Sequence, residues 1–355
     1  MTGALEDAQA AYLHAVEQAD PTKLVKTKVR TGALDDWFED RLHPKPIHVI
    51  ALGKAAPRMV WGLLESSVPF TGIGVTTRGQ KRPSLERFWH EGGHPVPDAS
   101  SFAAGQAVFD RVDRLPADAH VLVLISGGAS ACVDVADDPD AVVASTPEWL
   151  RMPIEDANRE RARMSRFKGG GLGRRLLDAG ADVRVWSLCD VPPEQHRIVG
   201  SGPCDVPDIE HTVLADASFV AEAAAGMLGA LGHPAKVLPR VAGDLDAALD
   251  AALDGPTVAA GEVALAPPRD APPGGRCSHA ALAAAEALDS GVFFAGATDG
   301  IDGTTRDAAA WSLPGDADPE ALSAWRSHEV LAAKGQTLRT GPTGTNLNDL
   351  WIHLP

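Results

Sequence analysis

The fold is decided by a run of apolar and β-branched residues that ends in glycine, Ile47-His48-Val49-Ile50-Ala51-Leu52-Gly53. A helix-compatible stretch from Ala55 to Glu65 follows it. A short run of this kind is typical of a strand buried in a parallel sheet. The stretch therefore predicts a strand and a helix joined by a turn that contains Gly53 and Lys54.

The same pattern of an apolar strand followed by glycine or small polar residues returns three more times, at Val121–Ile125, Val183–Leu188 and Val292–Ala297. Helical patterns accompany these strands, at the N-terminus up to Asp20-Pro21 and at Ser101–Leu115, Ala221–Leu231 and Ala280–Leu288. Alternating strands and helices predict an α/β fold with mostly parallel sheets, in which ligands bind beyond the carboxyl ends of the strands. A break in composition at Gly232-His233-Pro234 predicts two domains, residues 1–235 and 236–355.

Composition and charge exclude several classes of protein. The 355 residues include 48 acidic and 32 basic ones, and a net charge of −16 disfavours generic binding to nucleic acid or to anionic membranes. The four cysteines are far apart and form no CxxC pair, so we expect reduced thiols and neither a disulfide framework nor a zinc knuckle. No signal peptide or membrane span is evident, so we expect a cytoplasmic protein.

The turn at Gly53-Lys54 is not a known nucleotide motif. It lacks the glycine and the Ser or Thr of a Walker A loop, and no GxGxxG sequence opens a helix after a strand. Backbone amides at the start of a helix can nevertheless hold phosphate together with the Lys54 ammonium group. The alternative is a solvated surface lysine.

Two further segments have the composition of anion-binding sites. Ser126-Gly127-Gly128-Ala129-Ser130 follows a strand and is rich in small residues, so it predicts either an anion cradle or a plain tight turn. Arg159–Arg175 carries seven basic residues, among them Arg161, and one acidic residue, and its Lys168 directly precedes three glycines. That segment predicts a site for phosphate or carboxylate, with a solvated basic helix as the alternative.

Carboxylates and hydroxyls cluster at the remaining strand ends. Asp190 follows one strand, and Asp299 and Asp302 stand in a glycine-rich turn after another. Near phosphates, such carboxylates hold Mg²⁺ or accept a hydroxyl proton, although an aspartate in a turn or capping a helix is a common alternative. The run from Thr340 to Asp349 concentrates hydroxyls, amides and glycines that can surround a polyol or a phosphate.

Seven segments in order resemble the MOFRL-type glycerate 2-kinases over nearly the whole chain. They are Ala-Leu-Gly-Lys-Ala-Ala (51–56), Gly-Gly-His-Pro-Val-Pro-Asp (92–98), Leu-Ile-Ser-Gly-Gly-Ala-Ser-Ala (124–131), Phe-Lys-Gly-Gly-Gly-Leu (167–172), Gly-Ser-Gly-Pro (200–203), Thr-Asp-Gly-Ile-Asp-Gly (298–303) and Thr-Gly-Pro-Thr-Gly-Thr-Asn (340–346). The resemblance implies a larger Rossmann-like N-terminal domain, a smaller C-terminal MOFRL domain, and an active site in the cleft between them.

The resemblance also implies transfer of the γ-phosphate of ATP to the 2-hydroxyl of D-glycerate, with Mg²⁺ as cofactor. The residues that it assigns to catalysis are Lys54, Arg276, Asp190 and Asp299. The residues that we expect to bind substrate or nucleotide are Gly53, His94, Ser126, Gly127, Gly128, Ser130, Arg161, Lys168, Ser201, Asp302, Thr343, Thr345 and Asn346. Asp190 and Asp302 are our candidate Mg²⁺ ligands, and whether the chain forms a homodimer stays open.

The chain departs from the family pattern after Arg276. The family's Asn-Gln-Glu is replaced here by Cys277-Ser278-His279, so an amide and a carboxylate are missing. One alternative is therefore a catalytically weak relative that binds a small anionic metabolite without converting it. Oxidoreduction of hydroxypyruvate is a third hypothesis, which no nicotinamide fingerprint supports.

Overall fold

The computed structural model describes residues 2–38, 45–150, 152 and 154–355. Its α-helices are α1 Thr2–Gln18, α2 Pro21–Arg30, α3 Ala56–Glu65, α4 Ala99–Val112, α5 Ala129–Cys132, α6 Pro139–Trp149, α7 Ile154–Arg163, α8 Gly171–Asp178, α9 Ala217–Ala230, α10 Leu245–Ala252, α11 Arg276–Ala284, α12 Pro319–Ser323 and α13 Ser327–Ala333. Two 3-10 helices span Asp35–Phe38 and Pro193–Ser201. In this described part of the chain, no helix has the length and apolar character that a membrane crossing needs.

The strands are β1 Ile47–Leu52, β2 Phe70–Thr77, β3 Trp89–Gly92, β4 His120–Ile125, β5 Asp182–Leu188, β6 Glu210–Ala215, β7 Lys236–Val237, β8 Val241–Gly243, β9 Thr257–Val263, β10 Val292–Ala297, β11 Ala309–Ser312, β12 Thr337–Leu338 and β13 Asp349–Leu354. All four strands of the sequence pattern are present within one residue of their predicted bounds. The predicted helices are present as well, although α9 begins four residues before the predicted Ala221, and α11 begins and ends four residues before the predicted Ala280–Leu288.

The chain forms two compact units. We call Pro21–Leu214 the parallel-sheet unit, and Ala215–Pro355 with the N-terminal residues up to Asp20 the mixed-sheet unit. This division differs from the predicted boundary at residue 235. Helix α9 packs on β9 and α1 packs on α9, so both helices belong to the mixed-sheet unit. The break at Gly232-His233-Pro234 marks the end of α9 and not the end of a unit.

The parallel-sheet unit contains a doubly wound sheet. Its strand order is β3-β2-β1-β4-β5-β6, and β1 pairs in parallel with both β2 and β4. From β1 the chain proceeds to one edge through β2 and β3, and from β4 to the other edge. This is the strand order of a Rossmann-like fold, whose ligands bind where the order reverses. The predicted α/β class is confirmed, and the reversal lies between β1 and β4.

The mixed-sheet unit corrects the expectation of mostly parallel sheets. Its order is β12-β11-β10-β13-β9-β7, with β8 also on β9, and β10 is antiparallel to both β11 and β13. A parallel partner after β10 would need a crossover of about a dozen residues or more, usually a helix. The chain instead returns through a loop that contains no helix. The carboxyl end of β10 therefore lies beside the first residue of β13, with Ala297 opposite Asp349.

Candidate active site

The turns after β1 and β4 are bonded to each other at the reversal of the parallel sheet. The Lys54 amide donates to the Gly127 carbonyl at 2.9 Å, and the Ala55 amide donates to Ser126 Oγ at 3.0 Å. Gly53 has a φ of +108°, and a Cβ atom there would lie 2.4 Å from the Ser126 carbonyl oxygen. Only glycine fits this position. Gly53, Ser126 and Gly127 thus fix the shape of the two turns.

Lys54 and His94 lie next to Gly128, the residue that precedes α5. A Cβ atom on Gly128 would be 2.9 Å from Lys54 Cγ and 3.5 Å from His94 Cδ2. Burial lowers the pKa of His94, and the positive charge of Lys54 lowers it further, to about 4. His94 is therefore neutral at pH 7, able to bind a polar group without adding charge.

A cavity of about 170 Å³ adjoins these residues within the parallel-sheet unit. An engineered cavity of about 150 Å³ is large enough for benzene, so this one accommodates a metabolite of a few carbon atoms. One part of its lining is polar or cationic and the other is apolar. The lining residues are His94, Pro95, Pro97, Gly128, Ser130, Ala131, Val142, Thr146, Trp149, Leu150, Arg161 and Lys168.

A chain of hydrogen bonds supports one side of the cavity. Arg161 Nη1 donates to Asn158 Oδ1 at 3.3 Å. Ser201 Oγ lies 2.8 Å from both Asn158 Oδ1 and Ser130 Oγ. Because an amide oxygen only accepts, Ser201 donates to Asn158 and accepts from Ser130. Ser201 therefore supports the cavity through Ser130 and Asn158. Asn158, which links Ser201 to Arg161, was not identified from the sequence.

Lys168 reaches the cavity from a buried ion pair with Asp134. Asp134 also accepts a hydrogen bond from the Val135 amide at 2.8 Å and one from the Ser165 hydroxyl. Sequence reasoning missed Asp134, because it stands between Val133 and Val135 in a stretch that looks apolar. The available signal was a carboxylate flanked by two β-branched residues, which has to find a partner when it is buried.

Asp190 lies two residues beyond β5, at the same sheet edge as Ser126. It is half-buried. Among the described residues, no group of three or more His, Cys, Asp or Glu side chains is placed to hold a metal ion. Mg²⁺ binding by Asp190 stays a prediction.

In the mixed-sheet unit, Arg276 is held by two carboxylates. Its Nε donates to Asp349 Oδ2 at 2.7 Å and its Nη2 to Glu262 Oε1 at 2.8 Å. Burial alone would lower the pKa of Arg276, but the charges of Asp349 and Glu262 outweigh it and raise that pKa. Burial raises the pKa of Asp349 to about 7, although Arg276 opposes the shift. Neither acid was predicted as a site residue.

Asp302 caps the first turn of α11. One carboxylate oxygen accepts from the Cys277 amide and the other from the Ser278 amide, each at 2.9 Å. A Cβ atom on Gly275 would lie 2.0 Å from Asp302 Oδ1, so glycine is required before Arg276. This is the capping role that the sequence left open as the alternative to Mg²⁺ binding. Asp302 thereby fixes the start of the helix that carries Arg276.

The loop after β10 is bonded to the loop before β13. Thr343 Oγ1 donates to the Thr298 carbonyl at 2.6 Å, and the Thr343 amide donates to the Asp299 carbonyl at 3.1 Å. Thr298 Oγ1 donates to the Asn348 carbonyl at 2.6 Å. Thr298 is thus a connecting residue that sequence reasoning missed.

Two other predicted residues, Thr345 and Asn346, lie in the same loop before β13. The hydroxyl of Thr345 is buried without a hydrogen-bond partner in the described part of the chain. Asn346 is half-buried.

The structure thus gathers the predicted residues in two groups, each within one unit. The group around the cavity and its supporting turns consists of Gly53, Lys54, His94, Ser126, Gly127, Gly128, Ser130, Arg161, Lys168 and Ser201. The group at the sheet edge of the mixed-sheet unit consists of Arg276, Asp299, Asp302 and Thr343.

The chain matches two protein families along most of its length. Residues 7–228 match the family described as "Domain of unknown function (DUF4147)", and residues 255–349 match the MOFRL family. The D-glycerate 2-kinase of Thermotoga maritima is 28% identical over 94% of this chain and 99% of its own. The glycerate 2-kinase of Pyrococcus horikoshii is 26% identical over 95% and 94%. An Agrobacterium vitis protein with the provisional name hydroxypyruvate reductase is 30% identical over 85% of both chains.

The fold is also that of solved relatives. The crystal structure of glycerate kinase from Thermotoga maritima superposes with a TM-score of 0.82 at 24% identity and covers 98% of both chains. A second crystal structure, of a Pyrococcus horikoshii protein, gives a TM-score of 0.74 at 22% identity over the same share. The two family matches, which account for both the doubly wound sheet and the C-terminal sheet, and the sequence similarity to the glycerate 2-kinases above place the chain in the MOFRL-type glycerate 2-kinase family.

Proposed function

We propose that the protein transfers the γ-phosphate of ATP to the 2-hydroxyl of D-glycerate or of a closely related small hydroxy acid. The observation that carries the proposal is the small cavity whose lining includes Arg161, Lys168 and Ser130, with Lys54 beside it. Two cations in a space of this size suit the carboxylate of a short acid. The names of the relatives from Thermotoga maritima and Pyrococcus horikoshii support the same substrate.

Phosphoryl transfer requires positioning and charge neutralisation more than covalent chemistry by the protein. The substrate hydroxyl oxygen forms a bond to the γ-phosphorus, the bond from that phosphorus to the ADP oxygen breaks, and the hydroxyl proton leaves to a carboxylate. In our proposal Arg161 and Lys168 bind the substrate carboxylate. Lys54 neutralises the transferring phosphoryl group, and Asp190 or Asp299 accepts the proton.

Arg276, which lies in the mixed-sheet unit, is proposed to bind a phosphate oxygen. A guanidinium group has five N–H donors in a fixed plane, of which the bonds to Asp349 and Glu262 take two. The remaining donors are available for a phosphate. The two acids hold the guanidinium plane in one orientation, which favours a defined contact over a mobile one.

Mg²⁺ would neutralise phosphate charge when bound. It usually takes one or two protein carboxylates and completes its shell with water and nucleotide phosphates. Asp190, half-buried at the sheet edge, fits that requirement. Asp302 fits it less well, because each of its oxygens already accepts a hydrogen bond from a backbone amide of α11.

A second candidate function is binding of a small anion without turnover. The observation that favours it lies after Arg276, where the family's amide and carboxylate are missing. His279, in that segment, stacks on Trp325 with ring centroids 4.4 Å apart, and burial lowers its pKa. It is therefore a packed, neutral side chain and no substitute for the missing carboxylate.

The test is release of ADP from ATP and Mg²⁺ with D-glycerate, L-glycerate or hydroxypyruvate as acceptor, with the phosphate position of the product read by NMR. Lys54→Met removes the proposed phosphate contact, and Lys81→Met, at an exposed lysine, is the matched control. We expect 2-phosphoglycerate from D-glycerate, lost in Lys54→Met and kept in Lys81→Met. NADH oxidation with hydroxypyruvate, in place of kinase activity, would support the reductase name of the Agrobacterium vitis relative.

A further inference from the structure

The cavity has a charged group directly behind its wall. The side chains of Lys168 and Asp134 form an ion pair in which they are only 2% and 1% exposed. Lys168 is part of the cavity lining, whereas Asp134 is not. Lys168 is therefore the member of the pair that lines the cavity, and Asp134 is not in contact with it.

Asp134 is held in place by bonds of its own. One of its oxygens accepts from the Val135 amide and from the Ser165 hydroxyl, while the other faces Lys168. Ser165 Oγ in turn accepts from the amides of Phe167 and Lys168, at 3.0 and 2.9 Å. The carboxylate, the serine and the backbone of Lys168 thus form one bonded group with little freedom to rearrange.

Because Lys168 is almost fully buried, its ammonium group needs a negatively charged partner to stay protonated. Burial lowers the pKa of Lys168, and the positive charge of Arg161 acts in the same direction. The negative charge of Asp134 opposes both. A buried ammonium group without an anionic partner gives up its proton. Asp134 therefore decides whether the cavity contains a cation at this position.

We infer that Asp134 is a positioning residue, which keeps Lys168 charged and directed into the cavity so that Lys168 can bind the carboxylate of the hydroxy acid. The inference rests on the proposed function, because it takes that acid as the ligand. Asp134 itself does not touch the substrate. It acts through Lys168, with Ser165 fixing its orientation.

A double-mutant cycle with Asp134→Asn, Lys168→Met and the double variant tests this inference. Each single substitution is expected to lower kcat/KM for D-glycerate about a hundredfold, mainly through KM. The double variant should be no worse than Lys168→Met alone, because Asp134 has no role once the lysine is gone. Asp137→Asn, which removes an exposed carboxylate three residues away, is the matched control and should leave KM within about twofold.

The pH profile separates positioning from a merely structural role. In Asp134→Asn, Lys168 should lose its proton at a lower pH than in the wild type, so KM should rise with pH where the wild-type KM is flat. If Asp134→Asn does not fold, Ser165→Ala is the second variant. It keeps the charges of Lys168 and Asp134 but removes the hydrogen bond from Ser165 to the Asp134 carboxylate. A severalfold rise in KM then supports the inference, and an unchanged KM contradicts it.

Calorimetric binding of D-glycerate without ATP distinguishes failure of the inference from failure of the proposed function. Wild-type binding without turnover, lost in Asp134→Asn, would refute the kinase activity and support the role of Asp134. Turnover with KM and pH profile unchanged in Asp134→Asn would overturn the inference and leave the kinase intact. A wild-type protein that neither binds nor phosphorylates D-glycerate would overturn both.

Discussion

Replacing Asp302 by alanine should loosen the start of α11 in the mixed-sheet unit. The substitution removes the acceptors of the Cys277 and Ser278 amides, each bonded at 2.9 Å. A hydrogen bond to a charged group contributes about 1.5–3 kcal/mol, and loss of a helix cap typically costs about 0.5–2 kcal/mol. Asp302 is only 2% exposed, so water cannot replace it easily. We therefore expect a loss of about 3 kcal/mol in the local free energy of opening.

Hydrogen exchange measured by mass spectrometry over residues 275–284 reports this opening directly. A loss of about 3 kcal/mol corresponds to exchange that is about a hundredfold faster, since about 1.4 kcal/mol is a factor of ten. The matched control is Asp318→Ala, which removes the cap of α12 by freeing the Ala321 amide. Exchange in α11 should be unchanged in that control.

The Mg²⁺ requirement of Asp302→Ala separates capping from metal binding. If Asp302 is mainly a Mg²⁺ ligand, Asp302→Ala raises the Mg²⁺ concentration for half-maximal activity and leaves exchange in α11 as in the wild type. That result refutes the capping argument. Faster exchange with an unaltered Mg²⁺ requirement supports it.

Three further predictions concern other parts of the molecule. The imidazole of His94 should titrate near pH 4 when followed by NMR. Its pKa should rise in Lys54→Met, because the positive charge of Lys54 is removed; an unchanged midpoint would contradict the interaction between Lys54 and His94. The pKa of Asp349 is raised to about 7, so the folded state holds a proton that the unfolded state releases, and stability should fall as pH rises from about 4 to about 7. Urea unfolding should show this loss in the wild type and not in Asp349→Asn, and parallel pH profiles would refute it. Gly53→Ala should destabilise the parallel-sheet unit by more than about 1 kcal/mol, because φ is +108° and the new Cβ atom would clash with the Ser126 carbonyl oxygen. The measurement is the urea midpoint, which should fall; an unchanged midpoint would contradict that steric argument.

The sequence predicted the parallel-sheet unit better than the mixed one, for a physical reason. In strands β1 and β4 all residues except one histidine each are buried, so both read as apolar runs, which the pattern detects. Strand β2 escaped because its sequence is Phe-Thr-Gly-Ile-Gly-Val-Thr-Thr. Its Gly72 is required by packing, since a Cβ atom there would lie 1.9 Å from the Val49 carbonyl oxygen. A glycine that lets two strands pack closely also interrupts the apolar run by which a strand is recognised in the sequence.

The candidate site divides in the same way. Residues in glycine-rich turns, such as Lys54 and Asp302, were recognisable from composition and from the family resemblance. Asp134 and Asp349, which pair with Lys168 and Arg276, were not recognisable, because each lies next to apolar residues and its role depends on a side chain far along the chain. Lys168 and Asp134 are 34 residues apart, and Arg276 and Asp349 are 73 apart. Pairing over such distances is a property of the fold and leaves no local pattern.

The departure from the family after Arg276 is compatible with an intact start of α11. Cys277 and Ser278 hold Asp302 through their backbone amides, which any residue other than proline supplies. Ser278 Oγ also accepts from the Gly275 amide at 3.3 Å, closing the first turn from the other side. The orientation of Arg276 therefore does not depend on the amide and carboxylate that the family has at the next positions. Their loss changes which groups a ligand meets beyond Arg276, so the substitutions should affect selection of the acceptor or nucleotide more than stability.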